Sequence, residues 1–185
     1  QQNSFNAKAG LLCKAAESGN LKQALPQFDW KEIIDPSLLK DKDFNTALEN
    51  TSSRTPLKVT RLDSPKEKAY YYLVPFDKLT KRGKSLTAVV LIIDGADFTF
   101  KEASWVKQPS AYPKITREQA IGLVQRKLYP RHYGINKIKM LNNIKAELVW
   151  EPGKISTSPY RPFWRVIIKN KVWFVTDKAE VIDVQ

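Results

Sequence analysis

Residues 163–184 read FWRVIIKNKVWFVTDKAEVIDV and carry the strongest strand pattern in the C-terminal part of the chain. The stretch is rich in β-branched and aromatic residues, which is typical of strands whose successive side chains point to opposite faces. Two short connectors, Asn170-Lys171 and Asp177-Lys178, interrupt it and are typical of tight hairpin turns. The stretch therefore predicts a three-stranded meander, with strands at 163–169, 172–176 and 180–184.

A helix and one further strand are predicted before this meander. The residues Thr116-Arg117-Glu118-Gln119 fit a capping box, in which side chain and backbone satisfy each other at a helix start. Apolar residues then recur at spacings of three and four until Pro130, namely Ala120, Ile121, Val124 and Leu128. Residues 146–150 read as a strand, so the second half is predicted as a helix packed on an antiparallel sheet.

The first half shows the same order of elements. An apolar stripe (Phe5, Ala9, Leu12, Cys13 and Ala16) predicts one amphipathic helix. Asp35-Pro36 is typical of a second helix start, with Leu38, Leu39, Phe44 and Leu48 facing the core. Four strands follow, at 57–62, 69–76, 86–93 and 98–105, and Asp94-Gly95 is predicted as the hairpin turn between the last two.

The predicted fold class is therefore α+β, with two helix-plus-antiparallel-sheet units. The first unit is expected at residues 1–107 and the second at 114–185, joined by a connector that contains Pro109 and Pro113. A tandem repeat would explain the shared order of elements, and an unrelated first domain is the alternative.

The chain is strongly basic. Its 185 residues include 31 Lys and Arg against 19 Asp and Glu, which gives a net charge of +12. Such a charge attracts anionic partners over long range, whether nucleic acid, an acidic polymer, an anionic surface or an acidic protein. The alternative is that the lysines serve mainly to keep the protein soluble.

Few residues in the chain are suited to chemistry. Cys13 is the only cysteine and His132 the only histidine, so an internal disulfide is impossible and a Cys- or His-rich metal site is not expected. No nucleophile, zinc-protease or phosphate-loop motif occurs, and His132 lies in a predicted turn. Asp94 and Asp97 are expected to serve a hairpin turn. We therefore expect a protein that is not an enzyme and holds no metal or cofactor.

Two observations concern localisation. The longest apolar run, Ala88 to Ile93, is far shorter than a membrane span requires, so no transmembrane segment is expected. The sequence begins Gln1-Gln2-Asn3-Ser4, and we interpret this as the start of an exported protein whose signal peptide has been removed.

Three motifs in the second half carry a family resemblance. They are ITREQAI at 115–121, FWRVII at 163–168 and KVWFVTDKAEVI at 171–182. Residues 114–185 resemble the PepSY domain through these motifs, with Ala179-Glu180 where that family commonly has Gly. The resemblance implies an exported α+β module that inhibits or chaperones proteases and has no catalytic residues of its own.

Aromatic and basic residues interleave in the predicted meander, which suggests a binding face. Alternation along the strand places Phe163, Arg165 and Lys169 on one side and Trp164 on the other. The candidate binding residues are Tyr160, Arg161, Phe163, Arg165, Lys169, Lys171 and Trp173.

Two functions remain open at this point. One is modulation of secreted or cell-surface proteases, and the other is polyanion or nucleic-acid binding by the basic, aromatic face. The expected partner is a protein or an anionic surface polymer, with nucleic acid less favoured, and the sequence leaves the oligomeric state open.

Overall fold

The computed structural model describes residues 29–64, 69–130 and 144–184. In these ranges the helices are α1 (Lys42–Leu48) and α2 (Arg117–Leu128), and the short 3-10 turns Trp30–Ile33 and Leu38–Lys40 precede α1. The strands are β1 (Thr51–Ser53), β2 (Leu57–Arg61), β3 (Tyr70–Leu79), β4 (Ser85–Asp94), β5 (Phe100–Ser110), β6 (Lys145–Trp150), β7 (Phe163–Ile168), β8 (Lys171–Val175) and β9 (Val181–Val184).

The described strands form one large sheet of mixed type. Its nine strands follow the order β5-β4-β3-β2-β6-β7-β8-β9, with β1 paired to β3. The pairs β3–β4, β4–β5, β6–β7, β7–β8 and β8–β9 are antiparallel, whereas β2 and β6 pair in parallel through Val59 and Leu148. The predicted fold class, two helix-plus-antiparallel-sheet units, is therefore wrong. Local patterns show where strands lie but carry no signal for a parallel pairing between segments almost 90 residues apart.

Compact packing divides the described residues into two units. The first unit contains residues 29–58 and 69–112, and the second contains 59–64, 113–130 and 144–184. In the first unit, the meander β3-β4-β5 lies against the 3-10 turns and α1. The core members on that side include Trp30, Ile33, Phe44, Val74, Phe76, Val89 and Leu91.

In the second unit, α2 packs on one face of the strands β6 to β9. The helix begins at the predicted capping box, because Thr116 Oγ1 accepts from the Gln119 backbone N–H at 3.2 Å and Gln119 Oε1 accepts from the Thr116 N–H at 2.8 Å. Ala120 and Val124 are fully buried against the sheet. The other core members on this side include Trp164, Val166, Ile168, Trp173 and Val175.

Most predicted strands agree with the observed ones to within three residues, and the turn at Asp94-Gly95 joins β4 to β5 as predicted. Strand β5, however, continues to Ser110 and includes Pro109 of the predicted connector, β1 was not predicted, and the connection between β8 and β9 spans residues 176–180 instead of the predicted two. The predicted second helix is shorter than expected, since a 3-10 turn occupies 38–40 and leaves Leu39 exposed. The predicted first helix with Cys13, and also His132, lie outside the described residues. No helix in the described ranges is long and apolar enough to cross a membrane.

Candidate functional site

Strand register shows how the predicted binding residues divide between the two faces of the sheet in the second unit. Trp173 pairs with Val166, whose side chain lies in the core beneath α2. Arg165 pairs with Phe174, and Phe174 belongs to the cluster on the opposite face. The seven candidate residues therefore do not form one surface.

Phe163 is a core residue and not a platform for a ligand. Its side chain is 1% exposed, and its ring meets that of Phe174 edge to face at 4.9 Å. Val149 completes this small cluster, with Ile155 from the loop before β7 packed against it. A base or another flat group has no access to the Phe163 ring.

Arg165 already has a protein partner. Its guanidinium Nε and Nη2 atoms donate to Glu147 Oε1 at 3.0 and 2.6 Å, and Thr60 Oγ1 donates to Glu147 Oε2 at 3.5 Å. A positive charge balanced by a carboxylate at this distance attracts an anionic ligand weakly. Arg165 therefore stabilises the pairing of β6 with β7 and is a poor candidate for ligand binding.

Trp173 is also a core residue, on the helix side of the sheet. It is 4% exposed, and among the described residues its indole N–H has no hydrogen-bond acceptor. The Lys127 ammonium group lies 5.4 Å from the centre of its ring. A basic side chain of α2 therefore lies over the buried tryptophan.

Tyr160 and Arg161 lie in the loop that precedes β7. Arg161 is exposed and Tyr160 half-buried, and the Arg161 N–H donates to the Ser158 carbonyl at 2.9 Å. The structure does not group these two residues with Lys169 and Lys171, which occupy the turn at the far end of β7.

Lys169 and Lys171 are held by a tight turn between β7 and β8. Lys169 and Asn170 both have positive φ angles, of 49° and 64°, and Ile168 pairs with Lys171 across the turn. Two central residues with positive φ are the mark of a type I′ turn, which fits the twist of the strands it joins. The turn thus presents two exposed lysines on a well-defined backbone.

The C-terminal end of α2 lies beside this turn. Tyr129 directly follows the helix, and the Lys169 ammonium group lies 5.9 Å from the centre of its ring. Arg126 and Lys127 occupy the last helical turn, where the helix dipole favours positive charge, and Lys127 donates to the Val181 carbonyl at 2.7 Å. We call Arg126, Lys127, Lys169 and Lys171 the basic end of the second unit.

Among the residues that the structure describes, no carboxylate balances the charges of the two lysines of the turn. Within the described part of the chain, no carboxylate lies within 4.0 Å of the ammonium group of Lys169 or Lys171. Asp183, which pairs with Trp173, is the acidic residue that β9 contributes to this side. The arrangement can attract and hold anionic groups.

Sequence reasoning found Lys169 and Lys171 but missed Arg126, Lys127 and Tyr129. Basic residues in the last turn of the predicted helix were the available signal, since cations stabilise that position. That signal could not show that the helix end and the β7–β8 turn meet.

Other polar groups serve the local structure. Asp97 accepts from the Thr99 backbone N–H at 2.9 Å and from its hydroxyl at 2.6 Å, as expected of a turn aspartate. Partial burial raises the pKa of Asp97, but the Thr99 hydrogen bonds outweigh it and the net direction is downward. In the described ranges, no three His, Cys, Asp or Glu side chains are grouped to hold a metal ion.

No protein-family model, curated protein or solved structure matches the chain.

Proposed function

We propose that the chain is a non-enzymatic binding protein that attaches to an extended anionic polymer through the basic end of the second unit. The observation that carries this proposal is the pair of exposed lysines on the β7–β8 turn, which lie beside Tyr129 at the C-terminal end of α2 and which no carboxylate among the described residues balances. The net charge of +12 supports it, because a positive field draws a polyanion towards the protein from a distance.

The basic end suits this function better than the sheet face that the sequence suggested. On that face Phe163 is buried and Arg165 is paired with Glu147, so neither group offers an unsatisfied contact. At the basic end, Lys169 and Lys171 are exposed, and among the described residues neither has an ion pair with a carboxylate that an anionic group would have to displace.

The direct test is the salt dependence of binding. Single-stranded and double-stranded oligonucleotides and poly-glutamate are titrated with the protein, and binding is followed by fluorescence anisotropy between about 50 and about 200 mM salt. The two lysines of the turn alone predict a slope of about −1.8 for log affinity to a duplex against log salt, and each further phosphate contact adds about −0.9. Flat salt dependence with all three polymers would rule the proposal out, and the preferred polymer identifies the class of anion.

Modulation of proteases is a second proposal, and it rests on the motifs that resemble the PepSY domain. An exported protein of this type would bind a secreted protease of the thermolysin family and slow its hydrolysis of a peptide substrate. Inhibition and complex formation in solution are the readouts. The absence of both would remove this function, and a leader peptide found upstream of the chain would support export.

A further inference from the structure

The hairpin between β3 and β4 ends in a second basic feature, which belongs to the first unit. Its loop, residues 80–84, is closed by three hydrogen bonds: Thr80 N–H to the Lys84 carbonyl at 2.8 Å, Gly83 N–H to the Thr80 carbonyl at 2.9 Å, and Lys84 N–H to Thr80 Oγ1 at 3.0 Å. Gly83 adopts a φ of 73°, which glycine accepts without strain. The tip therefore has a defined backbone.

Three cations and one large apolar side chain project at this tip. Lys81, Arg82 and Lys84 are exposed, and Leu79 at the end of β3 is 75% exposed. Among the described residues, no other large apolar side chain is as exposed as Leu79. Most of the Leu79 side chain therefore remains in water, although most other residues of β3 and β4 are buried.

The carboxylate nearest in sequence does not balance these cations. Asp77 is buried and accepts hydrogen bonds from Ser85 Oγ at 2.8 Å and Thr87 Oγ1 at 2.6 Å, with the Arg54 guanidinium at 3.6 Å. In the described ranges, no carboxylate lies within 4.0 Å of Lys81, Arg82 or Lys84. The tip thus keeps a net charge of about three, on the count that each Lys and Arg is protonated.

We propose that the β3–β4 hairpin tip docks on an anionic lipid surface. The three cations approach the headgroups, and the Leu79 side chain enters the apolar boundary beneath them, which is how amphipathic surface elements bind membranes. A nucleic acid or acidic polymer would satisfy the cations but offer nothing to Leu79, so the exposed leucine favours lipid. This inference concerns different residues from those of the basic end and does not depend on the proposed polymer binding.

The test is co-sedimentation of the whole chain with vesicles. Vesicles of phosphatidylcholine alone are compared with vesicles that contain about one third phosphatidylglycerol. Each Lys or Arg near the anionic surface should raise the affinity for it about fivefold. The variants are the triple substitution Lys81→Gln, Arg82→Gln, Lys84→Gln and the single substitution Leu79→Ser. The matched control is Lys40→Gln, Lys42→Gln, Lys107→Gln, which removes the same charge from exposed positions of the same unit.

We expect strong preference for the anionic vesicles, a loss of about 100-fold for the hairpin triple variant and a markedly smaller loss for the control. Leu79→Ser should weaken vesicle binding about tenfold and leave oligonucleotide binding unchanged. The same variants are titrated with a single-stranded oligonucleotide. Equal losses for the two triple variants, no effect of Leu79→Ser on vesicles, or a loss seen only with the oligonucleotide would each overturn the inference.

Lys169→Gln, Lys171→Gln separates this inference from the proposed function. That variant should retain vesicle binding and bind the polymer more weakly. If it loses vesicle binding as fully as the hairpin triple variant, the lipid contact does not lie at the hairpin. Thermal melts of all variants confirm that each is folded.

Discussion

The indole nitrogen of Trp164 donates a hydrogen bond to the carbonyl oxygen of Ile115 at 2.8 Å. Trp164 is the first residue of β7 whose side chain faces α2, and this bond connects it to the segment that leads into the helix. The Trp164 ring also packs against the cluster formed by α2 and the sheet. One side chain therefore supports both the entry to the helix and the core beneath it.

Replacing Trp164 should destabilise the protein strongly. Trp164→Ala removes the packing and the hydrogen bond, and we expect the free energy of unfolding to fall by about 3 kcal/mol. Trp164→Phe keeps most of the packing and leaves the Ile115 carbonyl without its donor, at a cost of about 1 kcal/mol. Urea denaturation measures both values.

Arg165→Ala is the matched control on the next residue of the same strand. Its pair with Glu147 is partly exposed, so the loss should be about 1 kcal/mol or less. A cost for Arg165→Ala that equals that of Trp164→Ala would contradict the assignment of Trp164 to the core.

Ala179→Gly should stabilise the protein. Ala179 adopts a φ of 65° in the turn between β8 and β9, a conformation that costs a residue with a Cβ atom about 1 kcal/mol. Glycine relieves this strain but loses more entropy on folding, so a net gain of about 0.5 kcal/mol is expected from thermal unfolding.

Gly83→Ala is the reciprocal test and should have the opposite sign. The space around Gly83 is open, but its φ of 73° makes any Cβ atom unfavourable, and a loss of about 1 kcal/mol is expected. If both substitutions shift stability in the same direction, backbone conformation does not govern these turns.

Tyr72 should make stability fall at high pH. Its burial raises the pKa to about 12, and neighbouring Tyr70 acts in the same direction. Because the folded pKa lies above the unfolded value of about 10, this stabilisation is complete below pH 10 and is lost as pH rises towards 12. Tyr72→Phe should reduce the fall in unfolding free energy across that window, and equal slopes for the two proteins would refute the role of Tyr72.

Asp77→Asn should destabilise the first unit. The buried carboxylate accepts hydrogen bonds from the Ser85 and Thr87 hydroxyl groups through its two oxygens. In Asp77→Asn an NH2 group replaces one of these oxygens, so one acceptor is lost and a donor faces a hydroxyl group or the Arg54 guanidinium. We expect a loss of about 2 kcal/mol in urea denaturation, against less than about 1 kcal/mol for Asp97→Asn at an exposed turn. Similar losses at the two positions would show that the buried network adds nothing.

The sequence predicted the elements of this fold better than their arrangement. Thr116 and Gln119 form the predicted capping box, and the turn between β4 and β5 begins at Asp94-Gly95 as predicted. The β7–β8 turn is centred on Lys169-Asn170, one residue before the predicted Asn170-Lys171. Such features are local, so a few adjacent residues determine them. The parallel pairing of β2 with β6 is not local, and neither segment carries a pattern that names its partner.

The candidate site was predicted in part for the same reason. Alternation placed Phe163 and Arg165 on a shared face, but it could not show that Phe174 and Glu147 occupy that face as their partners. Lys169 and Lys171 remained exposed because they belong to a turn. The sequence also could not show that the Lys127 side chain contacts the sheet at Val181, which pairs with Val175 at the end of β8 away from this turn.

The measurement that tests the proposed function most directly is the salt dependence of polymer binding for Lys169→Gln, Lys171→Gln, with Lys40→Gln, Lys42→Gln as the charge-matched control. If the basic end holds a duplex, the first variant should bind more weakly and its log–log salt slope should be shallower by about 1.8 than that of the original protein. The control should keep the original slope, because its lysines belong to the first unit and are not part of the basic end. Equal slopes for the original protein and the Lys169, Lys171 variant would contradict the account.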